Sequence, residues 1–104
     1  METHSKVRLD ILIEQLAVPR LAALLDGLEG VNGYTVLPVH GGSGLNGNWT
    51  RDGQVAGIEG MMMVWCILDR HHKDGALESV FAFVNERAGL NTLSDVQVVR
   101  GNRF

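Results

Sequence analysis

Hydrophobic residues occupy every second position over residues 7–13, and the positions between them are mainly charged. This period of two predicts a β-strand with one buried face. The pattern then becomes helical: Pro19 suits the first turn of a helix, and Gly30 with Asn32–Gly33 predicts where it ends. Apolar residues recur between them at the three- and four-residue spacing of a buried helical stripe: Leu21, Leu24, Leu25 and Leu28.

A strand, a helix and a strand are predicted in the second half of the chain. Residues 61–68 are apolar throughout and predict a strand. A helix follows, with Asp74 as its N-terminal cap and Gly89 as its C-terminal stop. Its predicted buried stripe comprises Leu77, Val80, Phe81 and Val84. Residues 95–99 predict the last strand, and residues 100–104 form a short tail.

A further strand and a long connection lie between these halves. Residues 34–39 are rich in β-branched and aromatic side chains, which favour a strand. Residues 40–60 have no regular periodicity and contain seven glycines. A connection of this length in a compact domain is usually functional or disordered.

The resulting order is βαββαβ, within a single domain that covers residues 1–104. Right-handed crossovers place both helices on one face of a four-stranded antiparallel sheet. The predicted fold is therefore α+β and ferredoxin-like, with a long loop over residues 40–60 between the second and third strands.

Composition excludes several classes of protein. A chain of 104 residues supports one domain, and its net charge of -3 argues against nucleic-acid binding. The single cysteine, Cys66, excludes an intrachain disulfide. Neither a signal peptide nor a membrane-spanning run is visible, so we expect a cytoplasmic protein.

The third predicted strand is apolar on both of its faces, whereas two helices cover only one sheet face. A bare apolar face in water is a large exposed patch, and a closed homo-oligomer would cover it. The alternative is that the long loop folds back over the sheet.

Three short motifs carry a family resemblance: Gly33-Tyr34-Thr35-Val36, Gly41-Gly42-Ser43-Gly44, and residues 94–100, which end in Arg100. In this order and spacing they resemble the PII signalling family. The resemblance implies a regulatory homotrimer, not an enzyme, that binds adenine nucleotides in clefts between subunits through a ferredoxin-like fold with a long mobile loop.

Departures from the family pattern narrow the range of expected ligands. The arginine-glutamine pair that nitrogen-sensing members carry after the first loop glycines is replaced here by Leu45-Asn46, and no lysine lies between Lys6 and Lys73. The chain is therefore most similar to the PII-like branch associated with bicarbonate transport and carboxysomes. The implied effectors are ADP or AMP, with ATP or cyclic AMP as further options, together with bicarbonate; no cofactor is expected.

Glycines at a loop base let backbone N–H groups converge on a phosphate, and arginine offers a fork of donors to an oxyanion. The resemblance implies that the threonine of the second strand contacts the adenine. It also implies that the segment after the second helix reaches the nucleotide from the neighbouring subunit. The predicted nucleotide site comprises Thr35, Gly41, Gly42, Ser43, Gly44, Ile67, Gly89, Leu90, Arg100 and Arg103. Trp49 is the predicted contact for a transporter or carboxysome-related protein, since exposed aromatic residues often anchor partners.

Two alternatives remain. A metal-responsive trimeric ferredoxin-like protein would use histidines, but adjacent His71 and His72 point in different directions and lack ligand spacing, so no metal site is predicted. A small isomerase or monooxygenase would need paired ionisable groups, and spacing reveals none; Cys66 lies in an apolar run without a basic neighbour.

Overall fold

The computed structural model describes residues 1–44, 47–50, 60–87 and 89–99. The strands and helices are β1 (His4–Glu14), α1 (Val18–Asp26), β2 (Thr35–Pro38), β3 (Gly41–Gly44), β4 (Gly47–Thr50), β5 (Met61–Leu68), α2 (Lys73–Val84) and β6 (Gly89–Val98). A short 3-10 turn precedes each helix, Gln15–Ala17 before α1 and Arg70–His72 before α2.

Four of these strands form one antiparallel sheet in the order β2-β5-β1-β6. β1 is central: it pairs with β5 from Val7 opposite Leu68 to Glu14 opposite Met61. On its other side it pairs with β6 along almost its whole length. This is the ferredoxin-like arrangement, and the predicted fold class is confirmed.

The core lies between the sheet and the two helices. The alternating residues of β1 are fully buried, as their period of two predicts. They pack with side chains from β5 and both helices: Val64, Cys66, Leu68, Leu21, Leu25, Ala76, Val80 and Val84. The prediction for Phe81 was wrong, because this side chain is 54% exposed. The buried stripe of α2 runs through Ala76, Val80 and Val84 at four-residue spacing, which turns Phe81 away from the sheet.

The last strand is longer than predicted. β6 begins at Gly89, so residues 89–94 pair with β1 instead of forming a loop. β6 is an edge strand with mostly exposed side chains, and it therefore lacks the alternating hydrophobic pattern that reveals a half-buried strand. β6 pairs through backbone hydrogen bonds with the edge of β1 that β5 does not occupy.

The second helix also starts differently from the prediction. Its first residue is Lys73, His72 occupies the N-cap position without a side-chain cap bond, and Asp74 lies in the first turn. A carboxylate in the first turn still interacts favourably with the positive end of the helix dipole.

The long segment between β2 and β5 contains secondary structure of its own. β3 and β4 form a two-stranded antiparallel hairpin, from Gly41 opposite Thr50 to Gly44 opposite Gly47. The absence of periodicity in residues 40–60 therefore did not mean an absence of strands. β3 consists of three glycines and a serine, so its sequence has no alternation of apolar and polar residues from which a strand could be predicted.

Candidate functional site

A cleft of about 220 Å³ lies beside β5 at the point where β2 begins. Its walls are formed by Asn32, Gly33, Tyr34, Thr35, Trp65, Cys66 and Ile67. Two residues of the sequence-predicted nucleotide site, Thr35 and Ile67, are thus brought together, although 32 positions separate them along the chain.

The cleft exists because the two strands differ in length. β2 pairs with β5 only from Thr35 opposite Trp65 to Pro38 opposite Met62. β5 continues to Leu68, so its last residues extend beyond the start of β2. In the described part of the chain no strand lies along this edge at Cys66 and Ile67. The edge thus presents backbone donors and acceptors to the cleft, as sheet edges do.

The chemistry of the cleft suits a flat, partly polar molecule. The Thr35 hydroxyl can donate and accept hydrogen bonds, while the indole of Trp65 supplies a broad apolar surface. Ligand sites typically combine such apolar walls with a few polar groups that fix orientation.

An arginine and an aspartate on β1 extend this site across the sheet face that lies away from the helices. The guanidinium carbon of Arg8 lies 4.3 Å from the centre of the Trp65 ring. Arg8 Nε donates to both carboxylate oxygens of Asp10, at 3.0 and 3.2 Å, and Nη2 lies 2.9 Å from Oδ1. Sequence reasoning missed this cluster, although the period of two already places Arg8 and Asp10 on one face of β1.

The predicted glycine-rich group lies away from the cleft. Thr35 is the first residue of β2 and Gly41 lies six positions later, and extended backbone spans about 3.3 Å per residue, or about 20 Å here. The Val39 amide donates to the Met61 carbonyl at 3.0 Å, which carries the pairing beyond β2 towards the hairpin. Gly41, Gly42, Ser43 and Gly44 form β3.

The remaining predicted residues fall into two groups. Gly89 and Leu90 begin β6, at the opposite edge of the sheet from β2, and three strand spacings of about 4.8 Å separate these edges. Within one chain they therefore do not reach the cleft. Arg100 and Arg103 lie outside the described residues, and so does the side chain of Trp49, whose backbone pairs with Gly42.

An apolar row crosses the sheet face that lies away from the helices. In register, Leu37 of β2, Met63 of β5, Leu12 of β1 and Leu90 of β6 lie side by side. The two ends of the row are well exposed, Leu37 at 40% and Leu90 at 59%. The sequence predicted that this face is covered by other copies of the chain or by the long loop.

Cys66 contributes no nucleophile to the cleft. Burial raises the pKa of its thiol to about 11, and the nearby charge of Asp10 acts in the same direction. A protonated thiol is a poor nucleophile, since the thiolate is the reactive form.

The two adjacent histidines belong to the 3-10 turn before α2, beside Leu28 and Glu29, and neither of them lines the cleft. The rings of His71 and His72 are 3.9 Å apart and tilted by 43°. Among residues 1–44, 47–50, 60–87 and 89–99, no three metal-ligating side chains lie close enough to share an ion. Within the same ranges, no helix combines the length and hydrophobicity that crossing a bilayer requires.

Residues 6–103 match the family model described as nitrogen regulatory protein P-II. The comparison with curated proteins finds no match.

Solved structures with the same fold include CPII, described as a nitrogen regulatory PII-like protein, from Thiomonas intermedia K12. Its complex with ADP, AMP and bicarbonate is 22% identical, with a TM-score of 0.84 over 99% of this chain and 96% of that one. Its complex with ADP and bicarbonate gives 23% identity and a TM-score of 0.81 over 99% and 97% of the two chains. A candidate PII-like signalling protein from Thermus thermophilus is 23% identical, with a TM-score of 0.77 over 100% of this chain and 99% of that one.

Proposed function

Because the chain belongs to the nitrogen regulatory protein P-II family, whose model matches residues 6–103, we propose that it is a regulatory homotrimer that binds an adenine nucleotide at clefts between its subunits. ADP and AMP are the foremost ligands, with ATP or cyclic AMP as further options. The cleft where Thr35 and Ile67 meet beside Trp65 is the observation that carries this proposal.

The proposed nucleotide lies along β2. Its base occupies the cleft, where Thr35 and the backbone edge at Ile67 offer hydrogen bonds. Its phosphates extend towards Gly41–Gly44, whose three glycines let backbone N–H groups approach an anion and whose Ser43 adds a hydroxyl donor.

A neighbouring subunit completes the proposed site. Gly89 and Leu90 lie at the β6 edge, and β2 lies at the other edge of the same sheet. A head-to-tail ring brings one edge of each copy close to the opposite edge of the next. The same ring covers the apolar row of Leu37, Met63, Leu12 and Leu90.

Bicarbonate is proposed as a second effector. The Thiomonas protein is described as bound to ADP and bicarbonate, and Arg100 and Arg103 would offer this chain's oxyanion donors. We assign the protein to the regulation of inorganic-carbon metabolism or transport in the cytoplasm. The hairpin segment, including Trp49, would contact a transporter or carboxysome-related target. No catalytic role is assigned.

A titration calorimetry series with AMP, ADP, ATP and cyclic AMP, each with and without bicarbonate, tests the binding proposal. We expect micromolar affinity for at least one nucleotide, because ordering a segment upon binding consumes part of the interaction free energy. Thr35→Val should weaken it about tenfold, the usual cost of losing one well-made polar contact. Thr3→Val is the matched control, since that hydroxyl donates to Gln97 at the exposed N-terminus. The absence of heat and of any thermal shift for all four nucleotides would contradict the proposal.

Light scattering after size exclusion tests the trimer. Leu12→Glu places a charge in the apolar row and should reduce the measured mass to that of a monomer. Leu16→Glu is the control, because Leu16 is 71% exposed in the 3-10 turn, outside the sheet. A wild-type protein that is monomeric at micromolar concentration would refute the assembly.

A further inference from the structure

We propose that Trp65 is the base-recognition residue of the cleft and that Arg8 and Asp10 hold its indole ring in position. The inference rests on the proposed nucleotide-binding function and attributes the selectivity for the base to Trp65. In this arrangement Trp65 favours a purine over a pyrimidine base, while Arg8 and Asp10 act as positioning residues. Neither of them is required to touch the ligand.

Strand register brings the three side chains together. Trp65 stands between Thr35 of β2 and Asp10 of β1, and these three are cross-strand neighbours on the face away from the helices. Arg8 lies two residues from Asp10 on the same face, opposite Ile67. The indole therefore lies between the cleft on one side and an ion pair on the other.

The ion pair restricts the ring. The Arg8 guanidinium stacks on the indole at 4.3 Å from its centre, within the range of a cation–π interaction. The carboxylate oxygens of Asp10 in turn lie 2.9 to 3.2 Å from the Nε and Nη2 atoms of Arg8, in three N···O contacts. A side chain whose conformation is already fixed loses less entropy when a ligand stacks on it.

The same contacts decide which end of a nucleotide belongs here. An unpaired guanidinium would attract a phosphate, but the Nε and Nη2 donors of Arg8 are engaged by Asp10. The charges of Arg8 and Asp10 offset each other, so the cluster offers an anion little attraction. What remains accessible in the cleft is an aromatic surface with the Thr35 hydroxyl, and this combination suits a heterocyclic base.

Purine selectivity follows from overlap area. A fused two-ring base covers more of an indole than a single ring does, and base–aromatic stacking contributes strongly to nucleic-acid binding. ADP and CDP carry the same sugar and phosphates, so the ratio of their affinities isolates the contribution of the base.

The first experiment measures ADP and CDP binding to the wild type and to Trp65→Leu by titration calorimetry. We expect ADP affinity to fall about 10- to 100-fold and CDP affinity to change little, so that the ADP/CDP ratio collapses. Trp65→Phe, which keeps a smaller aromatic face, should retain part of the ratio. Circular dichroism and size exclusion establish that each variant is folded and assembled like the wild type.

A second experiment measures the fluorescence emission of the Trp65 indole ring. The chain has two tryptophans, so a Trp49→Phe background leaves Trp65 as the only indole, and the ADP affinity of that background serves as the reference. Saturating ADP should change Trp65 emission, whereas pyrophosphate, which lacks a base, should not. In the same background, Asp10→Asn should shift the emission maximum of the free protein and weaken ADP binding several-fold.

A third comparison separates positioning from general stability. Arg8→Gln should lower the ADP/CDP ratio, and Arg8→Lys should restore part of it because a cation again lies over the ring. Arg20→Gln, which removes an exposed arginine from α1, is the control and should leave the ratio unchanged.

The outcomes distinguish this inference from the function on which it rests. Absence of nucleotide binding to the wild type overturns both. Binding with an unchanged ADP/CDP ratio in folded Trp65→Leu overturns the role of Trp65 alone. Should Trp65→Leu fail to fold, an emission of Trp65 that ADP does not alter overturns the inference equally.

Discussion

The imidazole of His72 packs directly against Gly30, in the turn that follows α1. Gly30 has a φ of 89°, in the left-handed region that residues with a side chain rarely adopt. A Cβ atom at this position would lie 2.4 Å from Cγ and Cδ2 of the imidazole and 2.7 Å from His72 Cβ. The contact joins the end of α1 to the beginning of α2.

Gly30→Ala should therefore lower the free energy of unfolding by about 2–4 kcal/mol, through left-handed backbone strain together with overpacking. Urea unfolding followed by circular dichroism measures the change. Gly75→Ala is the matched control: a Cβ there meets nothing within 4 Å, and alanine in a helix should be neutral or stabilising by about 0.5–1 kcal/mol.

A double variant isolates the contribution of the ring. Gly30→Ala, His72→Ala removes the contacts with Cγ and Cδ2 and should recover part of the lost stability, while the backbone strain and the 2.7 Å contact with the Cβ of residue 72 remain. Equal stabilities of Gly30→Ala and the wild type would show that this contact does not constrain the turn.

Gly89→Ala should destabilise the sheet by about 1–3 kcal/mol even without any ligand. The added Cβ would lie 2.7 Å from the Leu12 carbonyl oxygen and 3.4 Å from Val84 Cγ1, and the carbonyl belongs to the backbone of the central strand, so β6 has to shift. Thermal unfolding of the free protein measures this structural effect apart from the proposed nucleotide contact of Gly89. Gly33→Ala, where a Cβ meets nothing within 4 Å, should be close to neutral, and a similar loss in both variants would contradict the explanation.

Cys66 should resist alkylation in the folded protein. Its pKa of about 11, raised by burial and then by the charge of Asp10, leaves on the order of one thiol in a thousand ionised at pH 8. We expect iodoacetamide to react at least 100-fold more slowly with native protein than with protein in concentrated urea, as mass spectrometry would show. Rapid stoichiometric labelling of the native protein would contradict this environment.

Stability should depend on pH through Asp69. A hydrogen bond from Lys6 is the main cause that lowers the pKa of this carboxyl, and the charges of Lys6, His71 and His72 act in the same direction, whereas desolvation opposes them. A carboxyl whose pKa is lower in the folded than in the unfolded protein stabilises the fold at pH values above its unfolded pKa, near 4. This contribution disappears as the pH falls through the folded pKa.

The expected signature is a stability difference between the wild type and Asp69→Asn that is present at pH 7 and shrinks below pH 4. Urea unfolding at pH 7, 5 and 3 measures it. Because the effect depends on the pair, the same substitution in a Lys6→Met background should change stability much less at pH 7. A difference that grows as the pH falls would refute the assignment.

Several features of the fold could be predicted because burial leaves a pattern in the sequence. The period of two in β1 and the helical stripe of α1 identified their elements, since each buries one face. The exposed edge strand β6 buries no continuous face, and β3 consists only of glycines and a serine. The sequence therefore revealed only the end of β6 and nothing of β3 and β4.

The lining of the candidate site could be predicted only in part. Thr35 and Ile67 were placed through a family resemblance and do share the cleft, whereas Tyr34 and Trp65 of the same cleft were missed. A strand sequence shows which residues share a face but not which residue of another strand lies opposite. The stack of Arg8 on Trp65 depends on that register.

The sequence by itself determined the order of the two helices and of the four strands of the main sheet, the buried face of β1 and the family of the chain, because hydrophobic periodicity and short motifs are local properties. Only the tertiary structure decided that Trp65 lies between Thr35 and Asp10 and that Gly30 lies under His72. Those contacts join positions far apart in the chain, and their distances are set by strand register and helix packing.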